Sequence, residues 1–396
     1  MDSVTSTVDT LREVIAELAP LERGAGSPGE LEAARRLCRH FELAGCVAVV
    51  DEEQYRDGYA RLHGALSAVG ALAGLAAVAG RARGPAVLAG AGAAAAIADD
   101  CANWGRVVRR AVAGRRTTSN VVAETGDPSA ERTVVLMAHH DAAPTGFIFD
   151  DSAQRVANDL LPDVVEQIDT ALPMWWPVIA GPALSALGAL TGRRGVAGTG
   201  LVLSALSSAS FADIARHRIV PGANDNLSGV AVLVSVARAL QAEPVEGLRV
   251  LLASCGAEEV LQGGVYGFVE RHLTPLEPNR TWVLNVDTVG SPRLIMLEGE
   301  GPVVMEDYCG RGFRDLVARV AEEAGVELRR GMRARTSTDA VVTSHAGHPT
   351  ATLSSMTAWK GLSNYHKHTD TPENVDYGTV EHAATLAEAV VRELAR

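Results

Sequence analysis

The stretch TVVLMAHHD, residues 133–141, joins an apolar run to a cluster of ionisable side chains. A short apolar run bounded by polar residues is typical of a fully buried β-strand. The stretches LRVLLASCGAEE at 248–259 and TWVLNVD at 281–287 have the same form. The sequence therefore predicts three central strands, each of which ends in histidine or acidic residues.

Outside these strands, further apolar runs predict strands at 47–50, 120–123 and 351–354, and helical spacing predicts helices at 229–240, 264–272, 312–325 and 378–394. Strands that alternate with helices favour a mostly parallel sheet covered on both faces. We therefore expect an α/β fold, a three-layer αβα sandwich around a mostly parallel mixed sheet.

The N-terminal region has a clear helix start. Ser27, Pro28 and Glu30 together form the S-x-x-E pattern of a capping box with proline at the first helical position. Gly45 follows the apolar stripe and is typical of a helix C-terminus. This pattern predicts a helix from residue 28 to about residue 44, which packs through its apolar side.

Composition excludes several classes of protein. The 396 residues include 36 basic and 48 acidic side chains, a formal charge of −12, which argues against a nucleic-acid binder. The five cysteines are scattered and form no CxxC pair, so a thiolate metal site or a disulfide framework is not expected. The N-terminal sequence MDSVTSTVDTLREV has no signal-peptide pattern, and we expect a cytoplasmic chain.

Two Ala/Gly-rich stretches interrupt the α/β pattern. We interpret residues 56–112 and 165–215 as helical hairpin insertions in a single domain that spans residues 1–396. A membrane span needs roughly 20 apolar residues, and only 62–80 reaches that length. We favour insertions that pack on themselves or on a second copy of the chain, with membrane contact as the alternative.

The ionisable residues after the strands are candidate metal ligands. His139, Glu258, Glu259 and Asp287 follow three different strands, and ligands bind beyond the carboxyl ends of such strands. Asp225 lies in the turn PGANDNLSGV that opens a helix. A carboxylate there is also typical of a helix cap.

A second histidine ligand is expected from NYHKHTD at 364–370, where His366 and His368 are both candidates. Imidazole and carboxylate ligands without cysteine favour zinc, manganese or cobalt. Their number suits two metal ions about 3.5–4 Å apart that share a water and one carboxylate.

The motifs together resemble a known family, the co-catalytic zinc exopeptidases. It includes bacterial leucyl aminopeptidases, aminopeptidase Y, glutamate carboxypeptidase and, more distantly, glutaminyl cyclases. The similar segments stand in the family's order and cover roughly 1–55, 117–150 and 218–396. They read RGAGSPGELEAARRL, TSNVVAETG, VVLMAHHD, PGANDNLSGV, SCGAEEVLQGG, NVDTVG, STDAVVTSHAGHP and NYHKHTDTPENVD.

This resemblance implies a role for each candidate. His139 and Asp287 would hold one Zn²⁺, and Glu259 and His366 the other, with Mn²⁺ or Co²⁺ as substitutes. Asp225 would bridge the two ions, and its peptide bond to Asn226 would be cis. The ligand in the family lies four residues before an Asp-Thr pair, which favours His366 over His368.

The resemblance also implies a reaction. Glu258 would act as general base, Asp141 would orient His139, and the enzyme would release N-terminal residues from short peptides. A carboxypeptidase, another amide hydrolase or a glutaminyl cyclase could use the same ligands, and a non-catalytic scaffold is a further alternative.

Two departures from the family concern the substrate side of the site. Many relatives have S-D-H where this chain has Thr338-Asp339-Ala340, and 328–339 lacks the tyrosine that some leucyl aminopeptidase relatives offer to the tetrahedral intermediate. Arg335, Thr336 and Ser337 are therefore candidate oxyanion donors. The second hairpin lies between His139 and Asp225, so we expect it near the active-site rim, as a lid, an oligomer contact or a membrane anchor.

Overall fold

The computed structural model describes residues 7–171 and 173–396. The strands are β1 (Val47–Arg56), β2 (Arg115–Gly126), β3 (Thr133–His139), β4 (Arg249–Cys255), β5 (Thr281–Val286), β6 (Arg293–Glu300), β7 (Glu306–Asp307), β8 (Arg329–Ala334) and β9 (Thr350–Met356). The helices are α1 (Thr7–Leu18), α2 (Pro28–Leu43), α3 (Tyr59–Val78), α4 (Arg83–Cys101), α5 (Val107–Val112), α6 (Ser152–Leu160), α7 (Pro162–Glu166), α8 (Trp175–Thr191), α9 (Arg194–Ile214), α10 (Leu227–Ala242), α11 (Val265–Phe268), α12 (Arg311–Glu323), α13 (Asp339–His345) and α14 (Tyr377–Ala395).

One mixed sheet organises the described part of the chain. Its strand order is β1-β2-β4-β3-β5-β9-β6-β7, with β8 paired to β6. The central pairs β4/β3, β3/β5 and β5/β9 are parallel, whereas β1/β2, β2/β4 and β6/β9 are antiparallel. The α/β fold with a mostly parallel mixed sheet is confirmed.

Side chains that alternate along the central strands build two separate cores. In β3, Val134 and Leu136 face the core beneath α1, α10 and α14, while Val135 and Met137 face the core beneath α11 and α13. Successive residues of a strand point to opposite faces of the sheet. Helices therefore cover both faces, which gives the expected three layers.

The start of α2 differs from the predicted capping box in one respect. Ser27 Oγ accepts the hydrogen bond from the backbone N–H of Glu30, as predicted. The Glu30 carboxylate, however, is buried and accepts hydrogen bonds from Gly26 N, Thr118 Oγ1 and Ala257 N. Glu30 therefore ties α2 to the loop after β4 instead of closing the helix cap.

The predicted elements differ from the structure mainly at the sheet edge. β1 extends to Arg56, well past the predicted residue 50, and β6, β7 and β8 were not predicted. The segment predicted as one helix at 264–272 is α11 followed by a π-helical turn, Val269–Leu273. The arginine-rich sequence of β8, RRGMRA, lacks strand character, and its strand conformation depends on pairing with β6.

Helices α3, α4, α8 and α9 pack against one another as a four-helix bundle. The turn between α3 and α4 and the turn between α8 and α9 lie at the same end, where Arg83 contacts Gly192. At the opposite end the bundle meets the sheet domain through Asn103, which follows α4, and Trp176, at the start of α8. We refer to these two ends as the tip and the base of the bundle.

Candidate active site

The candidate ligands meet at one edge of the sheet because three strands are parallel. His139 ends β3, Asp287 directly follows β5, and Glu259 lies in the short 3₁₀ turn Glu258–Val260 after β4. The carboxyl ends of neighbouring parallel strands lie side by side, where α/β sheets bind ligands. The loops before α10 and after β9 add Asp225 and His366 to the same place.

Asp225 lies between the two histidines. Its Oδ1 is 3.4 Å from Nε2 of His139, and its Oδ2 is 3.3 Å from Nε2 of His366. Glu259 Oε2 lies 3.1 Å from the same nitrogen of His366, and Asp287 Oδ1 lies 3.9 Å from Nε2 of His139. The five side chains thus form two groups that share the carboxylate of Asp225.

The backbone around Asp225 is fixed by buried hydrogen bonds. The peptide bond between Asp225 and Asn226 is cis. The carboxylate of Asp370 accepts hydrogen bonds from the backbone N–H groups of Asn224, at 2.8 Å, and Asp225, at 3.1 Å. Thr288 Oγ1 donates to Asp225 Oδ1 at 3.2 Å. These contacts hold the central carboxylate in one orientation.

Asp141 connects His139 to the acidic turn. Its Oδ1 lies 3.4 Å from His139 Nδ1, the ring nitrogen that points away from Asp225. The same carboxylate accepts the backbone N–H of Glu258 at 3.0 Å and that of Glu259 at 3.1 Å. A carboxylate in this position fixes the tautomer and the orientation of a ligating imidazole.

The donor set fits a divalent cation. Ligand atoms of His139, Asp225 and Glu259 all lie within 4.8 Å of one another. Within the described residues, Glu259 Oε1 and His366 Nε2 are buried without a hydrogen-bond partner. Burial lowers the pKa of His139, but the carboxylates of Asp141 and Asp225 outweigh it and hold that pKa well above the usual value. Buried acids around two imidazoles are stabilised by positive charge, and zinc binds such nitrogen and oxygen donors.

Glu258 lies beside the cluster and has a different environment. Burial raises its pKa well above the usual value, despite the opposing charge of His139. Its Oε1 accepts a hydrogen bond of 2.9 Å from Nε2 of Gln262. The side chain lines the same cleft as His139 and Asp225, so Glu258 is positioned to exchange a proton with a molecule bound there.

Gln262 is itself held by the base of the bundle. Its Nε2 also donates to Ser337 O at 2.8 Å, and its Oε1 accepts from Asn103 Nδ2 at 3.2 Å. Arg106 and Tyr266 Oη both donate to Oδ1 of Asn103. A buried network therefore runs from the end of α4 to Glu258.

The other histidines of the two motifs lie outside the cluster. His140 is buried behind β3, where Nδ1 is 3.0 Å from Ser254 Oγ and burial lowers its pKa to about 4. His368 is exposed to solvent. The structure thus brings His366 to the candidate ligands and leaves His368 away from them.

The cleft beyond the candidate ligands has an apolar wall and a polar rim. Ile295, Leu297, Met332 and Met356 form the wall. Thr336, Ser337 and Tyr365 also line the cleft, whereas the guanidinium of Arg335 lies 5.3 Å from the ring centre of Trp176.

Tyr365 adds a phenol to this cleft that the sequence motifs did not indicate. Its ring stacks on His366 with the ring centres 3.9 Å apart. Burial and the nearby charge of Asp225 raise its pKa well above the usual value, so the phenol stays protonated and can donate a hydrogen bond.

Part of the chain is similar to a known peptidase family. Residues 207–391 match the model of peptidase family M28. This segment contains Asp225, Glu258, Glu259, Asp287 and His366 but not His139. The resemblance to the co-catalytic zinc exopeptidases is therefore confirmed. No curated protein sequence matches the chain.

Solved structures with the same fold include two kinds of enzyme. A glutaminyl cyclase from Bacteroides thetaiotaomicron, bound to N-acetylhistamine, has a TM-score of 0.58 and 13% identity, with 97% of each chain covered. An aminopeptidase from Aneurinibacillus sp. strain AM-1 has a TM-score of 0.56 and 16% identity, over 98% of this chain and 94% of that one. The zinc aminopeptidase BSAP from Bacillus subtilis has a TM-score of 0.57 and 14% identity, over 98% and 95%. At these sequence identities, the similarity concerns the fold alone.

Proposed function

We propose that this protein is a zinc-dependent exopeptidase that releases N-terminal residues from short peptides. The proposal rests mainly on one observation. The carboxylate of Asp225 lies between His139 and His366, and the buried carboxyl of Glu258 borders the same cleft. Shared carboxylates and an adjacent acid are what a metal-assisted hydrolysis needs.

We infer that two ions occupy this site. His139 and Asp287 would hold one, Glu259 and His366 the other, and Asp225 would contact both. When bound, Zn²⁺ lowers the pKa of a coordinated water towards neutrality and polarises a carbonyl group. The carboxylate excess around only two imidazoles supports a total of two divalent charges.

The chain's own residues carry the proton transfers in this proposal. Glu258 accepts a proton from the attacking water at its carboxylate and delivers it to the leaving amine. Burial raises the pKa of Glu258 above its usual value, which increases the proton affinity of its carboxylate. Gln262 fixes the carboxylate orientation through the hydrogen bond to Oε1.

The surroundings of the cleft support an enzyme that acts on chain ends. The base of the bundle borders the cleft, since Asn103 donates to Ser337 Oγ at 3.2 Å and Trp176 Nε1 donates to Pro302 O at 3.0 Å. Ala171, which precedes α8, also lines the cleft. A cleft bordered in this way admits the end of a peptide more readily than its middle.

The test is one library of short peptides with free or acylated N-termini and free or amidated C-termini, incubated with zinc-loaded protein. We expect loss of single N-terminal residues from peptides with a free amine, whatever the C-terminus, detected by mass spectrometry. Glu258→Gln with unchanged zinc content is the control and should lose at least about 1,000-fold in kcat.

Other outcomes assign other reactions. Cleavage of acylated peptides from the C-terminus would contradict the proposal and indicate a carboxypeptidase. Peptides that begin with glutamine distinguish a cyclase, because cyclisation releases ammonia and keeps the residue, whereas hydrolysis releases free glutamine. The fold is shared with enzymes of both kinds, so this arm of the library is needed.

A further inference from the structure

We propose that the four-helix bundle of α3, α4, α8 and α9 is embedded in a lipid bilayer, independently of the reaction at the active site. Residues 64–80, 84–98, 174–192 and 195–212 contain no Asp, Glu, Lys or Arg. At 1.5 Å per helical residue these stretches span roughly 22–29 Å, close to the roughly 30 Å thickness of a bilayer core. By length and composition, α3 and α9 could each cross a membrane.

The distribution of small and large residues in the bundle is the reverse of that in a water-soluble bundle. Small residues fill its interior: a side chain at Gly74 would meet Leu201, and one at Gly188 would meet the backbone of Ala197. Ser67, Ser185 and Ser204 are also buried there, and their hydroxyls have no hydrogen-bond partner in the described residues. Interfaces of small and weakly polar residues are typical of helices that associate within membranes, whereas soluble bundles bury leucine and isoleucine.

Large apolar side chains along the middle of the four helices point outward, whereas Ile97, Trp175 and Phe211 are buried near the base. Leu72 on α3 is 66% exposed, Leu88 on α4 76%, Leu190 on α8 69% and Leu206 on α9 58%. Only 33% of the most apolar window of α3 and 28% of that of α9 is buried within the bundle. A soluble protein rarely exposes an apolar surface of this extent without a partner.

The distribution of these side chains favours lipid over a second copy of the chain. A two-fold interface covers one patch on each subunit, whereas here every one of the four helices exposes leucine. A continuous apolar perimeter is covered completely only by a solvent-like partner, such as the acyl chains of a bilayer.

Charged and aromatic residues lie at the two ends of the apolar belt. Arg81, Arg83, Arg193 and Arg194 cluster at the tip, where the two turns meet. Trp176, which is 48% exposed, lies at the base. Arginines reach phosphate groups at the membrane surface, and tryptophan prefers the membrane interface. The polar ends and the apolar belt thus match the layers of a bilayer.

The experiment uses the full-length chain, expressed with its native bundle. We expect the protein to float with membranes in a density gradient, to stay in the pellet at alkaline pH and high salt, and to be released by detergent. Flotation separates membrane insertion from aggregation, because aggregates sediment. The purified protein should also reconstitute into vesicles of phosphatidylcholine, whose headgroups carry no net charge.

Two variants locate the contact. Leu72→Glu combined with Leu206→Glu places charges in the middle of the belt and should reduce the floating fraction about tenfold. Leu43→Glu, an equally exposed leucine at the end of α2, should leave it unchanged. The wild-type result alone can overturn the proposal. A wild-type protein that remains soluble and does not float with vesicles is not embedded, and a soluble dimer in sedimentation would assign the belt to a second copy.

Discussion

The amide of Gln262 donates a hydrogen bond of 2.9 Å to the carboxylate of Glu258. Gln262 is almost completely buried, and its other contacts reach Ser337 and Asn103, so its side chain has one orientation. A hydrogen bond to a carboxylate favours the charged form, which is the form that accepts a proton. This hydrogen bond links Glu258, the proposed general base, to the end of the helical bundle that meets the sheet.

Gln262→Met should therefore lower kcat about tenfold with little change in KM or in zinc content. The variant keeps the volume of the side chain but removes the donor to Glu258, so the carboxylate loses its fixed orientation. Steady-state kinetics and metal analysis of the purified variant provide the measurement. Gln241→Met, at an exposed position of α10, is the control and should leave both kinetic constants unchanged. An increase in KM with an unchanged kcat would show that Gln262 acts in substrate binding.

We expect substitutions of the two histidines in the NYHKHTD motif to have different effects on the zinc content of the protein. His366→Ala removes a nitrogen that lies 3.1 Å from Glu259 and 3.3 Å from Asp225, so we expect loss of about one zinc per chain and at least a 100-fold loss of activity. His368→Ala changes an exposed side chain and should retain the metal and the activity. Mass-spectrometric metal analysis distinguishes them, and equal zinc content in both variants would refute the ligand assignment.

Asp141→Asn tests the contact that supports His139. The substitution keeps the size of the side chain but removes the charge that faces His139 Nδ1 and weakens acceptance of the two backbone N–H groups of the acidic turn. Loss of such a supporting carboxylate typically weakens metal affinity 10–100-fold. Competition with a zinc chelator measures this change. Asp127→Asn, at a half-buried position directly after β2, should have the affinity of the wild type.

The grouping of the candidate ligands His139, Glu259 and Asp287 could be predicted from the sequence, because each of them follows an apolar strand closely. Each of the runs that ends at His139, at Cys255 and at Val286 is apolar and short, and the ionisable residue follows within a few positions. Parallel pairing of β3, β4 and β5 then brings these residues together without further information.

The residues that support Glu258, the proposed general base, could not be predicted in this way. Asn103 lies at the end of an apolar helix, 159 positions before Gln262, and no local pattern relates the two residues. Their contact depends on how the bundle docks on the sheet. The edge strands β6 and β8 were missed for a similar reason, since arginine and glycine in β8 adopt a strand only by pairing with β6.

Tyr365→Phe tests whether this phenol stabilises the transition state. Some leucyl aminopeptidase relatives have a tyrosine in the segment that corresponds to 328–339, whereas in this chain Tyr365, next to His366, lines the cleft. We expect kcat to fall about 10–100-fold and KM to change little, since a donor to a developing oxyanion acts mainly in the transition state. Tyr377→Phe, on α14, is the matched control. An unchanged kcat in Tyr365→Phe would leave Thr336 and Ser337 as the candidate donors.

Glu300 gives a prediction on stability instead of on the reaction. Burial raises its pKa to about 7, so between pH 4.5 and 7 the folded protein holds a proton at this position that the unfolded chain releases. The free energy of unfolding therefore falls as the pH rises through this range. Glu300→Gln does not titrate, and it should be more stable than the wild type by roughly 1–3 kcal/mol at pH 8, with no such gain at pH 4.5.

Glu298→Gln, on the same strand, is a control for which we expect the opposite effect on stability at pH 8. Partial burial raises the pKa of Glu298, but the hydrogen bonds from Arg330 and Gly331 and the nearby arginine charges together lower it. The folded state therefore favours the charged form, and this stabilisation is present at neutral pH and lost as the pH falls. The Glu298→Gln variant should therefore be less stable than the wild type at pH 8, and the difference should shrink at acidic pH. Thermal unfolding of the three proteins at matched zinc content, at pH 4.5 and pH 8, measures both effects. If Glu300→Gln showed the same difference from the wild type at both pH values, Glu300 would have an ordinary pKa in the folded protein.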